Sequence, residues 1–297
     1  MVWTAVAGAV VTALLLALGP QLYDGDEIKD TVRDAVRDDS EIRHTVQFMD
    51  EGFDLILPAG FEMSDSRRRM LAAVTLDGGL EKQLTDVLGS AEPARPVVLN
   101  LRLTLEGRRN QPIFVDRISP VDIEREVPYS GTFIHIPPQI SGSTVGMMFN
   151  LDERRPQARV PEKVDANDDE AVQRLGGMTD GHKPGALFFQ DNTLTLKSAE
   201  EDALFIQAVA TETAVSFRIR IDYRIGDRRG ELVVDDAGDP FRVTPLNCVS
   251  RSRWAPDGEL LASGMASYEN VWSLKGDFSG LEEISDPRRF ELGSPYC

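Results

Sequence analysis

Strict alternation of apolar and polar side chains constrains the fold of this chain more than any other pattern in it. Every second residue from Val215 to Ile225 is apolar, and the residues between them are Ser, Arg or Asp. Four leucines alternate with polar residues from Leu99 to Leu105. Successive side chains of a strand point to opposite faces of a sheet, so a period of two predicts strands with one buried and one solvated face.

Shorter segments repeat this pattern, with turn residues and no helices between them. They are Ile113–Ile118, Thr132–Ile136, Val145–Leu151, Leu194–Leu196, Leu204–Ala210, Leu232–Val234 and Phe241–Thr244. The series predicts a mainly β fold, and we expect residues 95–247 to form an antiparallel, immunoglobulin-like β-sandwich. Residues 152–185, rich in Pro, Asp, Glu and Gly, are predicted as a long acidic loop, and residues 248–297 as an irregular carboxy-terminal extension.

The amino-terminal segment predicts a transmembrane helix. No residue from Val2 to Leu18 is charged. A helix of this length spans about 26 Å, close to a hydrocarbon core of about 30 Å. Trp3 and Tyr23 flank the run, where aromatic rings favour the headgroup level. We predict an anchor at residues 1–20 and prefer it to a cleaved signal peptide, because no Lys or Arg precedes the run.

Two units are predicted between the anchor and the sandwich. Residues 21–47 are highly charged with a thin apolar stripe, which indicates a stalk helix. Residues 48–94 are predicted to form a small α/β unit that lies between the stalk and the sandwich. It has a short strand at Phe53–Pro58, followed by two helical stretches, the first capped by Ser64.

The sequence supports either side of the membrane for the soluble part. Lys29, Arg33 and Arg37 follow the anchor, which favours a cytoplasmic domain under the positive-inside rule. Segments this close to the amino end most often direct export, and the predicted sandwich is of an extracytoplasmic kind. We predict a single-pass protein of the cell membrane with an extracytoplasmic domain, and the cytoplasmic alternative stays open.

The expected state of the two cysteines, Cys248 and Cys297, depends on this choice of compartment. In an exported protein an even count predicts one disulfide between them, and in the cytoplasm they would be separate thiols. A metal site is not expected at either residue, because no His or further Cys lies beside it.

Composition excludes some partners. The net charge is −17, with 49 acidic and 32 basic residues, so a nucleic-acid partner is not expected. Six of the basic residues are Lys and 26 are Arg, a bias typical of GC-rich bacterial genomes. The longest basic run, Arg67 to Arg69, is predicted to be the solvated face of a helix.

No motif has the spacing that a particular catalytic chemistry requires. A Gly-x-Ser-x-Gly elbow is absent from the sequence, and so is a Gly-rich loop between a strand and a helix. The three histidines, His44, His135 and His182, are predicted to be structural or exposed, with His135 pointing outward from a strand. We therefore predict no catalytic residue and no cofactor.

Three polar segments suggest binding sites, and for each we prefer a simpler interpretation. Asp165 to Asp169 begins like a calcium loop, but Glu170 and Gly176 stand where that loop needs a glycine and a carboxylate. Asp235–Asp239 is predicted as a turn. A row of arginines on one strand is predicted to be ordinary solvated positions rather than a binding stripe. The row consists of Arg218, Arg220 and Arg224.

These observations favour a protein that is not an enzyme and that displays a β-sandwich for protein or ligand contact at the cell envelope. One alternative is a sensor or regulatory subunit that acts through a protein partner in the membrane. The other is an envelope hydrolase whose carboxylates converge only in three dimensions.

Overall fold

The computed structural model of the chain describes residues 41–49, 54–75, 80–136, 146–164, 181–247, 253–254, 260–261 and 268–287. Strands account for 52% of these residues and helices for 11%, which confirms the mainly β prediction. The strands are β1 (Ile42–Phe48), β2 (Leu55–Ile56), β3 (Arg95–Pro96), β4 (Val98–Gly107), β5 (Ile113–Glu126), β6 (Thr132–His135), β7 (Met147–Asn150), β8 (Arg159–Lys163), β9 (His182–Leu187), β10 (Leu194–Leu196), β11 (Glu201–Val209), β12 (Ala214–Ile225), β13 (Arg228–Val234), β14 (Phe241–Thr244), β15 (Arg253–Trp254), β16 (Leu260–Leu261), β17 (Asn270–Leu274) and β18 (Leu281–Glu283). The helices are α1 (Asp65–Ala72), α2 (Leu80–Leu88) and α3 (Phe188–Asp191).

Two large sheets share one hydrophobic core. The first has the strand order β1-β4-β11-β7-β8-β9, and the second has the order β10-β5-β12-β14-β3 with β13 beside β12. The alternating leucines of β4 and the apolar residues of β12 belong to the same buried cluster, in which Phe149 and Phe217 are completely buried. The alternation in the sequence therefore identifies the inward faces of both sheets.

A third sheet, in the order β18-β17-β6-β2, packs against helices α1 and α2. Its cluster contains Leu71 and Leu84 from the helices and Ile134 and Trp272 from the sheet. Ser64 caps α1, as predicted, because its Oγ accepts a hydrogen bond from the backbone N–H of Arg67 at 3.3 Å.

Helix α1 is also held by its middle arginine. Arg68 donates hydrogen bonds to the side chains of Glu283 and Asn270, which lie on β18 and β17. The prediction that Arg67 to Arg69 are merely a solvated face is therefore wrong for Arg68, because this side chain joins the helix to the third sheet.

The strand register defines two ends of the paired sheets. At one end, which we call the Glu41 end, lie residue 41 and the connections 108–112, 197–200 and 226–227. At the other end, which we call the helix end, lie the last residue of β1, strands β3 and β14, and helix α2. Strand β1 runs between them over seven residues, or about 20 Å.

The stalk prediction is wrong for residues 42–47, which belong to strand β1. His44, Val46 and Phe48 are half-buried and the residues between them are exposed, which is a period of two. Because β1 carries the chain along the sheet, helices α1 and α2 lie at the helix end, away from residue 41.

Two segments predicted to be irregular contain strands. Strand β8 and most of β9 lie inside the predicted loop 152–185 and pair with each other, and β17 and β18 lie inside the predicted extension 248–297. The all-antiparallel prediction is also wrong, because β7 with β11, β3 with β14 and β6 with β17 are parallel pairs. Side-chain alternation is the same in both directions of pairing, so the sequence pattern could not distinguish them.

None of the described helices is long and apolar enough to cross a membrane. The predicted anchor, residues 1–20, and the stalk residues 21–40 lie outside the described residues. The division of the chain into domains stays a prediction.

Candidate ligand-binding cleft

A cavity of about 320 Å³ opens at the helix end, between helix α2 and the turn that joins β13 to β14. We call it the cleft. Its apolar lining comes from β1, β2, α2, β4 and β14, so it forms only when these distant segments meet. These lining residues are Phe48, Leu55, Leu84, Leu88, Leu99 and Phe241. An apolar lining with a few polar groups is typical of small ligand sites, although this volume is at the lower end of their range.

One buried guanidinium borders the cleft. Arg95 is 9% exposed and its guanidinium lies 5.4 Å from the centre of the Phe48 ring. Its Nη1 also donates to the backbone oxygen of Asp54 at 3.5 Å. The positive charge is therefore held against an aromatic face, an arrangement that stabilises a partly desolvated cation.

A second guanidinium is held by a carboxylate on the rim. Arg242 Nη2 lies 3.0 Å from Glu92 Oε1, and Nη1 donates to the backbone oxygen of Pro240 at 3.3 Å. The Arg242 side chain is 13% exposed, whereas that of Glu92 is 61% exposed. Glu92 has a φ of 47°, a left-handed conformation that is uncommon in a residue other than glycine.

A smaller cavity of about 170 Å³ adjoins the cleft and shares Glu92, Pro240 and Arg242 with it. We call it the acidic cavity, because Glu124 and Glu126 also line it, together with Tyr129. Burial is the main cause that raises the pKa of Tyr129. The nearby carboxylates of Glu126 and Glu92 act in the same direction, and the guanidinium of Arg242 opposes them.

The Glu41 end carries a different charged network. Tyr223 Oη donates to Glu41 Oε2 at 2.7 Å, Arg228 donates to the same carboxylate, and Arg109 Nη2 lies 4.0 Å from Glu41 Oε1. A Cβ at Gly230 would lie 2.5 Å from Cζ of Tyr223, so the ring needs a glycine beneath it. Burial, followed by the hydrogen bond to Glu41, raises the pKa of Tyr223 to about 12.

The histidines lie on separate strands. His44 lies on β1, His182 on β9 and His135 on β6. His135 does not point outward as predicted, because its side chain is only 15% exposed and its ring stacks on Phe133. Its Nδ1 lies 2.9 Å from Asp54 Oδ1, so it links the residue that precedes β2 to the end of β6.

The arginine row on β12 consists of paired side chains. Arg218 lies within 3.7 Å of Asp122 and Asp235, and Arg220 Nε lies 3.1 Å from Asp222. Arg224 Nε lies 3.1 Å from Asp116, with its guanidinium over the Phe114 ring. These carboxylates compensate the row, which argues against an anion-binding stripe.

Asp235–Asp239 forms the turn that the sequence predicts. The backbone groups of Asp236 and Asp239 bond to each other, and Gly238 N donates to Asp235 Oδ1 at 2.8 Å. The turn also brings Asp236 and Asp239 to the cleft. The sequence pattern could not show this, because the facing helix α2 lies far away along the chain.

Several predictions lie outside the described residues. They concern the disulfide between Cys248 and Cys297 and the calcium-like segment 165–176. Among the described residues, no group of three or more His, Cys, Asp or Glu side chains is placed to hold a metal ion.

The fold and the cleft define a mainly β protein with a candidate binding site at one end of its sheets. A scan of protein-family models and a search of curated proteins gave no match to the chain.

Proposed function

We propose that this chain is a single-pass membrane protein whose immunoglobulin-like β-sandwich displays the cleft for non-catalytic contact with a protein or ligand. The contact takes place at the extracytoplasmic side of the cell membrane. The observation that carries the proposal is that residue 41 and the cleft lie at opposite ends of the paired sheets. Residue 41, which follows residues 21–40 of the predicted stalk, lies at one end, and the cleft lies at the other.

The distance between the ends supports a display role. Strand β1 covers about 20 Å between Ile42 and Phe48, and Phe48 lines the cleft. A domain attached through residues 21–40 therefore presents the cleft away from the attachment. The shared core of the two large sheets supports the sandwich architecture.

The side of the membrane is tested by labelling Cys248 and Cys297 on intact cells with a membrane-impermeant maleimide. An extracytoplasmic domain with a disulfide gives labelling only after reduction. Labelling that needs cell lysis and no reductant would place the domain in the cytoplasm and would remove both the disulfide and the envelope contact from the proposal.

The contact itself is tested by photocrosslinking in living cells. A photoreactive amino acid at Ser90, on the rim of the cleft, is compared with one at Asp227, in the turn at the Glu41 end. Both residues are exposed, so the two positions are matched in access to solvent. We expect a discrete adduct from position 90 alone, and equal adducts from both positions would contradict the proposal.

One observation favours the hydrolase as a second candidate. The carboxylates of Glu92, Asp236 and Asp239 border the same cleft, and convergent acids are what such an enzyme needs. Incubation of the purified protein with envelope peptides and glycans separates the two functions. Cleavage that is lost in a D236N/D239N variant would favour the enzyme.

A further inference from the structure

The acidic cavity has an unequal charge. Three carboxylates line it, from Glu92, Glu124 and Glu126. One guanidinium, of Arg242, opposes them, and it is held by Glu92 and by the backbone oxygen of Pro240. An occupant that carries positive charge would compensate the excess.

The acidic cavity has the chemistry to hold a cationic side chain. Glu124 on β5, Ser216 on β12 and Arg242 on β14 form one row across the second sheet, because their strands pair in this register. Glu124 and Glu126 are exposed and form no ion pair with the described residues. Tyr129 adds an aromatic ring to the same cavity, and an ammonium or guanidinium group binds well to such a combination of carboxylates and aromatic ring.

The adjoining cleft adds an apolar surface, since six large apolar side chains line it beside its charged groups. The cavities share Glu92, Pro240 and Arg242, so an occupant can reach both. Such an occupant needs a cation and an apolar group a few ångströms apart, which adjacent side chains of a peptide provide.

We propose that this surface binds a basic segment of a protein partner, with a Lys or Arg side chain in the acidic cavity and a neighbouring apolar side chain in the cleft. The inference rests on the proposed function, because it names the partner of the same surface. The cation competes with Arg242 for the carboxylate of Glu92.

The test uses the full chain in lipid nanodiscs and surface plasmon resonance with short peptides at concentrations up to the millimolar range. The probe is acetyl-Leu-Lys-Leu-amide, and the comparison peptides have Gln or Glu in place of Lys. We expect the Lys peptide to bind at least about tenfold more tightly than the Gln peptide, and to weaken as salt is raised from about 0.05 to 0.5 M.

Two variants with the same loss of charge separate a local effect from a general one. In Glu124→Gln/Glu126→Gln the preference for Lys over Gln should disappear. In Glu201→Gln/Glu231→Gln, which changes exposed residues of β11 and β13, it should remain. All four side chains are exposed, so neither variant should change the thermal midpoint.

Three results would overturn the inference. They are equal binding of the Lys and Glu peptides, an unchanged preference in Glu124→Gln/Glu126→Gln, and equal binding of n-butylamine or calcium chloride, which would indicate a free amine or a metal ion. A discrete adduct from position 90 together with any of these results would keep the proposed function and reject the basic partner. The expected peptide binding without that adduct would keep the site for a basic segment and reject the contact at the cell envelope.

Discussion

The two ends of the molecule differ in how their carboxylates are compensated. At the Glu41 end the side chain of Glu41 is 15% exposed and is bound by Tyr223 and Arg228. At the helix end Glu92 is 61% exposed, and Glu124 and Glu126 border a cavity without an ion pair to the described residues. The first arrangement fixes parts of the chain to one another. The second leaves negative charge available to an occupant.

Left-handed backbone occurs at both ends. Glu92 and Val97, which lie before and after β3 at the helix end, have φ values of 47° and 59°. Such conformations cost free energy and persist only where surrounding structure enforces them, often near functional sites. At the Glu41 end, the turn of the β12–β13 hairpin uses Gly226, with a φ of 54°, to avoid this cost. Ala199, in the connection 197–200 at the same end, nevertheless has a φ of 57°, so strained backbone does not separate the two ends.

The first prediction, which has the largest expected effect, tests whether the two ends depend on one hydrophobic core. Phe217→Ala should lower the free energy of unfolding by about 4 kcal/mol, because the side chain is completely buried between the sheets. Hydrogen exchange should then accelerate at both ends. Leu84→Ala, in the separate cluster of the helix end, should accelerate exchange mainly in α2 and its neighbours. Identical exchange patterns in the two variants would show that the ends are not separable.

The second effect is an alkaline loss of stability at the Glu41 end. The pKa of Tyr223 is raised to about 12, so the unfolded chain releases this proton first. The contribution of the Tyr223 phenol to the free energy of unfolding is complete below pH 10. It is lost as pH rises through about 12, by up to about 2.5 kcal/mol. Absorbance titration at 295 nm and urea unfolding against pH measure it. Tyr223→Phe should remove this component, and a phenol that ionises near pH 10 would contradict the assignment.

The third prediction removes charge from the Glu41 network. Glu41→Gln should destabilise the protein by about 1.5 to 2 kcal/mol, because a charged acceptor is lost from a partly buried site. Urea unfolding of the single variants and of Glu41→Gln combined with Tyr223→Phe gives the coupling between the two side chains. Arg43→Gln is the control, since this side chain is 66% exposed and should change stability by less than about 0.5 kcal/mol.

The smallest effect comes from the same substitution at the helix end. Glu92→Gln should change the free energy of unfolding by less than about 0.5 kcal/mol, because the carboxylate is largely solvated. Urea unfolding alongside Glu41→Gln makes the comparison direct. Equal destabilisation by the two variants would remove the distinction between the paired carboxylate of Glu41 and the largely solvated carboxylate of Glu92.

The sequence predicted most of the strands, because each large sheet buries one face and alternation records that burial. Leu99 to Leu105 and Val215 to Ile225 lie on β4 and β12 as expected. Strand β1 is not among the predicted strands, because residues 42–47 continue a highly charged segment that indicates a stalk helix, although the half-buried residues of the strand alternate. Strand direction and pairing were not predictable, since they depend on contacts such as β7 with β11 that local patterns do not contain.

Almost no pattern in the sequence indicated the candidate site. Phe48, Glu92 and Arg242 meet at the cleft from segments that are far apart along the chain, and none belongs to a motif. Asp235–Asp239 was recognised as a turn, but its position opposite α2 depends on tertiary packing. His135 and Asp54 form their contact for the same reason.

Strand β1 also determines how the proposed protein responds to a mechanical pull. It joins residue 41 to the cleft, and its seven residues pair with β4 from Ile42–Gly107 to Phe48–Leu101. The backbone hydrogen bonds of an antiparallel pair lie perpendicular to the strands. In the proposed arrangement, a force between the membrane and an occupant of the cleft would act along β1 and load these bonds in shear, all together. A force across the strand would open them one after another.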